Sequence, residues 1–360
     1  MRGALRLWAV LACFGLVAAC GGSATTGSGG GVAWGSPWQI QASWGTFTLS
    51  SKIVAKLKNR TPINFVEEGQ AAGIPVLSQL FETGYKNAVP DATKIYPMKD
   101  AFYAPPGNQY DQGEQISQVQ AQLNAGQIDC LAVVPVNSNG LNNLIAQMAD
   151  QGIPVFIQGV PNQGHELGYY GQVPDKEGVQ TANTLLQWMK DNNKTFKTFA
   201  VTSGVPTADW AQGRMTSFIT TIKAAIPDAT FINDQTSALD TSLDPAATYD
   251  KARAFLKGHP NVDLVMNTDI GAEHIDRAIV DLGMSGKVYT IGWNVSKANL
   301  TYIDQGVQVA TMDQNVNDQG AYGPKACANL MQSGKVIPNA LTLKPILKAD
   351  VPTVRQQFGF

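Results

Sequence analysis

Two consecutive series of short β-type runs alternating with helix-period runs constrain this chain more than any other feature. In the first, residues 63–66, 94–103, 130–136 and 153–157 read as strands, and 76–87 and 109–123 as helices. Ile116, Val119 and Leu123 give the second helix its apolar spacing. Ser138 is expected to cap a third helix whose inward positions are Leu141, Leu144, Ile145 and Met148, with Gly152 as its left-handed stop. After a polar, Gly-rich passage at 159–171, the second series places strands at 198–202, 230–232, 262–266, 288–292 and 307–312. Its helices fall at 179–189, 210–222, 249–256 and 275–282. Such alternation builds βαβ units, so the fold class is α/β. The expectation is two doubly wound, Rossmann-like lobes with parallel sheets and a ligand cleft between them.

Length agrees, since 360 residues suit two compact lobes better than one. The N-terminus reads as an export signal: Arg2 and Arg6 precede an apolar run at 7–19, too short to span a bilayer. Small residues before Cys20 resemble a bacterial lipobox, so Cys20 is the expected lipidation site and the chain is expected to be membrane-anchored outside the cytoplasm. Residues 1–20 are then leader, 21–33 a Gly/Ser/Thr-rich tether, and 34–58 a lead-in ending in a helix, with no assigned role. Without Arg2 and Arg6 the chain carries 24 basic and 28 acidic groups, which gives no electrostatic reason to expect nucleic acid as a partner. Cys130 and Cys327 carry no metal spacing; buried free thiols are expected, with a disulfide as the alternative.

No nucleophile elbow, phosphate loop, His-Glu-x-x-His or Cys-x-x-Cys pattern is present, so an enzyme is not expected, and no cofactor or metal either. His165, His259 and His274 fall in unrelated contexts. Glu67 and Glu68 are strand neighbours that point to opposite faces, unsuited to work as a pair. What recurs is a polar group at the end of each strand: Glu68 and Gln70, Gln158, Thr202 and Ser203, Thr268 and Asp269, Asn294, and Gln314. Many donors and acceptors with few like charges suit a neutral polyhydroxylated ligand, whose hydroxyls must be paired when desolvated. Trp210, Trp293 and Tyr249 are candidates to stack on its C–H faces.

The run at 113–156 resembles the first lobe of the ribose- and galactose-binding proteins of bacterial ATP-binding-cassette importers, through its Gln-Ile helix start, its strand ending Pro-Val-Asn-Ser and its Gly-Ile-Pro-Val. Arg214 with Phe218, Thr268-Asp269, Gly292-Trp293-Asn294 and Gln314 with Gly320 follow in that family's order, and the likeness spans about residues 62–347. The resemblance implies a periplasmic binding protein of type I, with lobes joined by a multi-strand hinge. Lobe one is then 59–172 with 316–341, and lobe two 173–315 with 342–360. It also implies that Arg214 bridges ligand hydroxyls and that Gln314 closes the site near the hinge. Thr268 stands where the family has Asn, Asn294 where it has Asp, and Gln158-Gly159-Val160 where it has an Asp-Arg pair; the segment 67–75 replaces an Asn-Pro-Phe-Phe loop. Two acceptors that balance the arginine are therefore missing. Glu67 or Glu68 is expected to restore the balance; the alternative is a negatively charged ligand such as a sugar acid.

The function so implied is capture of a monosaccharide or polyol by a monomeric solute-binding protein and its delivery to a membrane permease. A subunit sensing the ligand for a chemoreceptor or histidine kinase is the alternative. A lactose-type repressor requires a helix-turn-helix where this chain has the lipobox and tether. Arg214→Ala is expected to abolish binding without unfolding the protein.

Overall fold

A computed structural model describes residues 34, 38–74, 76–107, 110–161, 164–337 and 343–359. The expected leader, Cys20 and tether lie outside these residues. The first half comprises a hairpin of β1 (Gln39–Ala42) and β2 (Gly45–Thr48), then α1 (Ser51–Asn59), β3 (Ile63–Glu68), α2 (Leu77–Ile95), β4 (Met98–Tyr103) and α3 (Gln112–Asn124). It continues through β5 (Cys130–Val133), α4 (Asn142–Asp150), β6 (Val155–Gly159) and β7 (Gly168–Gly171). The second half runs α5 (Pro174–Asp191), β8 (Thr198–Ser203), α6 (Asp209–Ala225), β9 (Thr230–Phe231), β10 (Leu239–Asp240), α7 (Pro245–Gly258) and β11 (Leu264–Asn267). It then adds α8 (Ala272–Asp281), β12 (Tyr289–Trp293), α9 (Lys297–Gln305) and β13 (Gln308–Asp313). α10 (Val316–Ser333), β14 (Lys344–Ile346) and α11 (Val351–Phe358) finish the chain.

Two sheets result. One has strand order β4-β3-β5-β6-β7, parallel throughout; the other runs β10-β8-β11-β12-β13-β14, with β9 also on β8 and only β14 antiparallel. The doubly wound α/β expectation therefore holds. β3 and β8 each have neighbours on both sides that follow them in sequence, which makes their C-terminal ends the points where ligands lodge in such sheets. Apolar runs produce the central strands: β5 is buried at all four positions, as a strand covered on both faces must be. Local chemistry sets the helix ends. Ser50, Asp111, Asp244 and Ser296 accept from the third residue beyond them, and Gly306 closes α9 in the left-handed region.

α10 follows the second sheet in sequence but packs on α2 and on β3, β5 and β6 of the first. The approach is close because Gly84 of α2 faces the Asn317 backbone and Gly320 of α10 faces the Phe81 carbonyl, with no room for a methyl at either. After α10 the chain returns to the second sheet as β14. A Cys130–Cys327 disulfide ties α10 to β5, so the expected free thiols are corrected. β5 and α10 are packed faces of one core, which brings two fully buried cysteines together across it.

Other local expectations differ as well. Ser138 does not cap α4, which begins at Asn142 with Leu141 before it; its amide and hydroxyl both donate to Asp209 of the second half. α2 runs through Pro90 to Ile95, past the expected stop at 87, and takes in Lys94 and Ile95, which the sequence assigned to a strand. β7 lies in the polar, Gly-rich passage at 159–171, to which no strand was assigned. Its glycines fit because a Cβ at Gly168 would meet the Tyr322 hydroxyl and one at Gly171 the Gly159 carbonyl. The lead-in proves structural: Phe47, Leu49, Ile53 and Leu57 join the first core, and the Trp44 indole donates to the Glu166 carbonyl at 2.8 Å.

Candidate functional site

The C-terminal ends of both sheets open onto one cavity. Gly69, Gln70, Val134 and Gly159 bring the first sheet to it, Asp269, Asn294 and Gln314 the second, and Trp210 and Arg214 come from α6. The cavity is about 90 Å³.

Arg214 is its organising side chain. α5 and α6 pack closely because Gly178 leaves no space between its Cα and the Arg214 carbonyl, and Gly213 abuts Pro174. That approach sets the Glu177 carboxylate 2.6 Å from Arg214 Nε, both side chains being buried. Nη1 donates to the Thr268 carbonyl at 2.7 Å, and Nη2 to Gln172 Oε1 at 3.0 Å and Gln314 Oε1 at 2.9 Å. The guanidinium lies 5.1 Å from the Trp210 ring and 5.0 Å from that of Trp293, a cation–π arrangement on two sides. Of the five donors of an arginine, four are thus engaged by the described residues. Gln314 Nε2 in turn donates to Asn294 Oδ1 at 2.7 Å. Asn294 adopts φ 71°, a left-handed conformation that asparagine tolerates, and this turns the chain just as β12 ends.

Burial pushes the Glu177 carboxyl up while Arg214 pulls it down by charge and hydrogen bonding. Asp269 is likewise raised by burial, against donation from the Gly204 amide at 2.5 Å, the Gly271 amide at 3.0 Å and Ser203 Oγ at 3.1 Å. Tyr110 also lines the cavity, its hydroxyl raised by burial and by the Asp269 charge.

Of the residues singled out in the sequence, the structure brings Gln70, Trp210, Arg214, Asp269, Asn294 and Gln314 to the cavity. The others take different places. Thr268 contributes its main-chain oxygen to Arg214, while its side chain is buried. Trp293 is fully buried beneath the guanidinium, so its ring supports Arg214 rather than facing the cavity. Gln158 is buried and donates to the Gln319 carbonyl at 2.8 Å. Glu68 is buried at the end of β3, outside the lining. Tyr249 lies elsewhere: it sits on α7, with Arg277 stacked 4.7 Å from its ring and its hydroxyl donating to Asp281. The expectation that Glu67 or Glu68 balances Arg214 is corrected too, because Glu177 does so. Glu67 instead packs against Gly323 of α10, and neither glutamate has an ion-pair partner among the described residues. Glu177 and Gln172 were missed by the sequence reading; the helix-interior Gly178 was the available signal of a tight α5–α6 contact.

Comparison with known proteins is consistent with this architecture. A D-allose-binding periplasmic protein of Escherichia coli (strain K12) is 32% identical over 90 residues, a match covering 25% of this chain and 29% of that protein. A glucose-galactose binding protein from Geobacillus stearothermophilus superposes with a TM-score of 0.67 at 19% identity, covering 81% of this chain and 99% of that one. A transporter solute-binding protein from Agrobacterium vitis with bound D-fucose gives 0.70 at 17% identity, covering 81% and 98%. The family model for a periplasmic binding protein domain matches residues 65–335. With well over half its length so matched, the chain belongs to the family of periplasmic binding protein domains.

Proposed function

We propose that this chain is an extracytoplasmic solute-binding protein, anchored by a lipid on Cys20, that captures one neutral monosaccharide or polyol between its two halves and delivers it to an ATP-binding-cassette permease. The halves are lobes of about 59–172 with 316–341 and 173–315 with 342–360, and the protein works as a monomer that binds its solute without transforming it. Burial of a ligand between two hinged bodies biases them toward closure, the form a permease can distinguish from the empty one.

The observation that carries the reading is the state of Arg214: its charge is cancelled by the buried Glu177, and it is surrounded by Gln172, Asn294 and Gln314 at the cavity between the two sheets. Neutral amides and one compensated ion pair suit hydroxyls, which both donate and accept. A carboxylate ligand would meet Glu177 and Asp269 with no uncompensated cation among the lining residues. This favours a neutral ligand over a sugar acid. Calorimetric titration of the mature protein with ribose, galactose, allose, xylitol and gluconate is expected to show binding of a neutral compound and none of gluconate. Tight binding of gluconate alone overturns the neutral-ligand reading.

A further inference from the structure

Tyr110 is a lining residue that touches both halves. It stands in the connection between β4 and α3 of the first half, yet its half-buried ring packs against the cluster of Ala71, Ile74 and Leu243 and against the second-half core that holds Trp210. Its hydroxyl makes no hydrogen bond to any described residue. The amide side chains of the lining differ, because each already has a protein partner. Gln172 and Gln314 accept from Arg214, and Asn294 from Gln314, while Gln70 Nε2 donates to the Pro135 carbonyl at 2.8 Å and Gln319 Nε2 to the Gln314 carbonyl at 2.9 Å. Asp269 is close enough for its charge to act on the Tyr110 hydroxyl. Its Oδ2 accepts from the Gly204 amide and Ser203 Oγ, but among the described residues Oδ1 accepts only from the Gly271 amide, at 3.0 Å. A carboxylate oxygen has two lone-pair sites, so one stays open on Oδ1.

Burial and the Asp269 charge raise the Tyr110 hydroxyl above its ordinary value of 10, so it keeps its proton and can donate. A ligand that fills the cavity shuts water out, and a buried hydroxyl left unpaired is costly. The ligand must therefore supply the partner. On these grounds, and resting on the sugar-binding function proposed above, we infer that Tyr110 is a specificity-determining residue whose hydroxyl donates to one sugar hydroxyl, which in turn donates to Asp269 Oδ1. A hydroxyl held in this way acts as acceptor and donor at once, which neither an ether oxygen nor a methyl can do.

Tyr110→Phe removes one oxygen and keeps the packed ring. Calorimetric titration of the wild type and of this variant with D-ribose, D-galactose, D-allose and xylitol tests the inference. The tightest binder of the four is expected to bind the variant about 3- to 10-fold more weakly, the contribution of one neutral hydrogen bond. Its single-deoxy analogues complete the cycle: one of them, lacking the hydroxyl between Tyr110 and Asp269, is expected to bind both proteins equally well. Equal affinity of the two proteins for the parent compound overturns the inference and leaves sugar binding intact. A loss of the same size for the parent and every analogue also overturns it, since Tyr110 would then act through packing alone. Failure of all four compounds to bind the wild type overturns the underlying function as well.

Discussion

Arg214 gives four hydrogen bonds to the protein itself, and a carboxylate rather than a ligand holds its Nε. Removing one partner of a buried pair costs about 3–5 kcal/mol because the other charge is left uncompensated. Glu177→Gln is therefore expected to lower stability by about that amount and to let the site accept gluconate. A variant with unchanged urea midpoint and no gluconate binding would rule out Glu177 as the neutralising group. By the same reasoning Arg214→Ala strands Glu177, so the variant is expected to lose binding at a stability cost of about 3–5 kcal/mol. Arg214, Asn294 and Gln314 could be read from the sequence because strand ends and a family pattern marked them. Glu177 could not, since an acidic residue in the first turn of a helix is ordinary dipole chemistry. Titration offers a second check. Burial, helped by the Glu114 charge, pushes Glu68 up to about 8 from 4.5, and Glu67 and Asp276 are raised by burial well above their usual values. Between an unfolded value near 4.5 and a folded value near 8, the native state binds more protons than the unfolded state. Stability is thus fully present below the unfolded value and falls as pH rises. His274, lowered by burial, has the opposite sign but acts only below its ordinary 6.5. The Tm is expected to fall between pH 6.5 and 8, with a shallower slope in Glu68→Gln; a flat or rising wild-type profile contradicts it.

Among elements, the disulfide between β5 and α10 is the one covalent tie across packed layers in the described residues. It constrains the unfolded chain over a long loop, an effect of about 2–5 kcal/mol. Cys327→Ser, or reduction, is expected to lower stability by that amount in urea unfolding, and a loss below about 0.5 kcal/mol would show the bond to be thermodynamically idle. The main elements were legible because their periods are strong: β3, β5, β6, β8, β12 and β13 fall where continuous apolar runs put them. The hairpin β1–β2, β7 and β10 were not, for physical reasons. β10 has two residues, β7 begins and ends on glycine, and the hairpin strands are four residues each, with Phe47 their single fully buried side chain. α2 outran its expected end because Pro90, a helix breaker in isolation, is held in a helix packed along α10.

At the scale of the whole molecule, the two halves touch on either side of the cavity. Ser138, after β5, donates its amide to Asp209 of α6 at 3.0 Å, and its hydroxyl bonds the same carboxylate oxygen. Ala71 and Ile74 of the first half pack with Leu243 of the second. These contacts bridge the two halves in the described conformation. Asp209→Ala is expected to weaken ligand binding several-fold while changing stability by no more than about 0.5 kcal/mol, as for other exposed substitutions. Small-angle scattering is expected to show a larger unliganded radius for it than for the wild type. Unaltered affinity would mean that Ser138 and Asp209 meet without helping closure. The Cys130–Cys327 bond, whose ends lie 197 residues apart, encloses β6, β7 and the second half through β13 in a single covalent ring. A protease that cuts the exposed turn at Asp234 therefore opens the ring without dividing the molecule. Nicked protein will run as one band on a non-reducing gel and as two only after thiol is added.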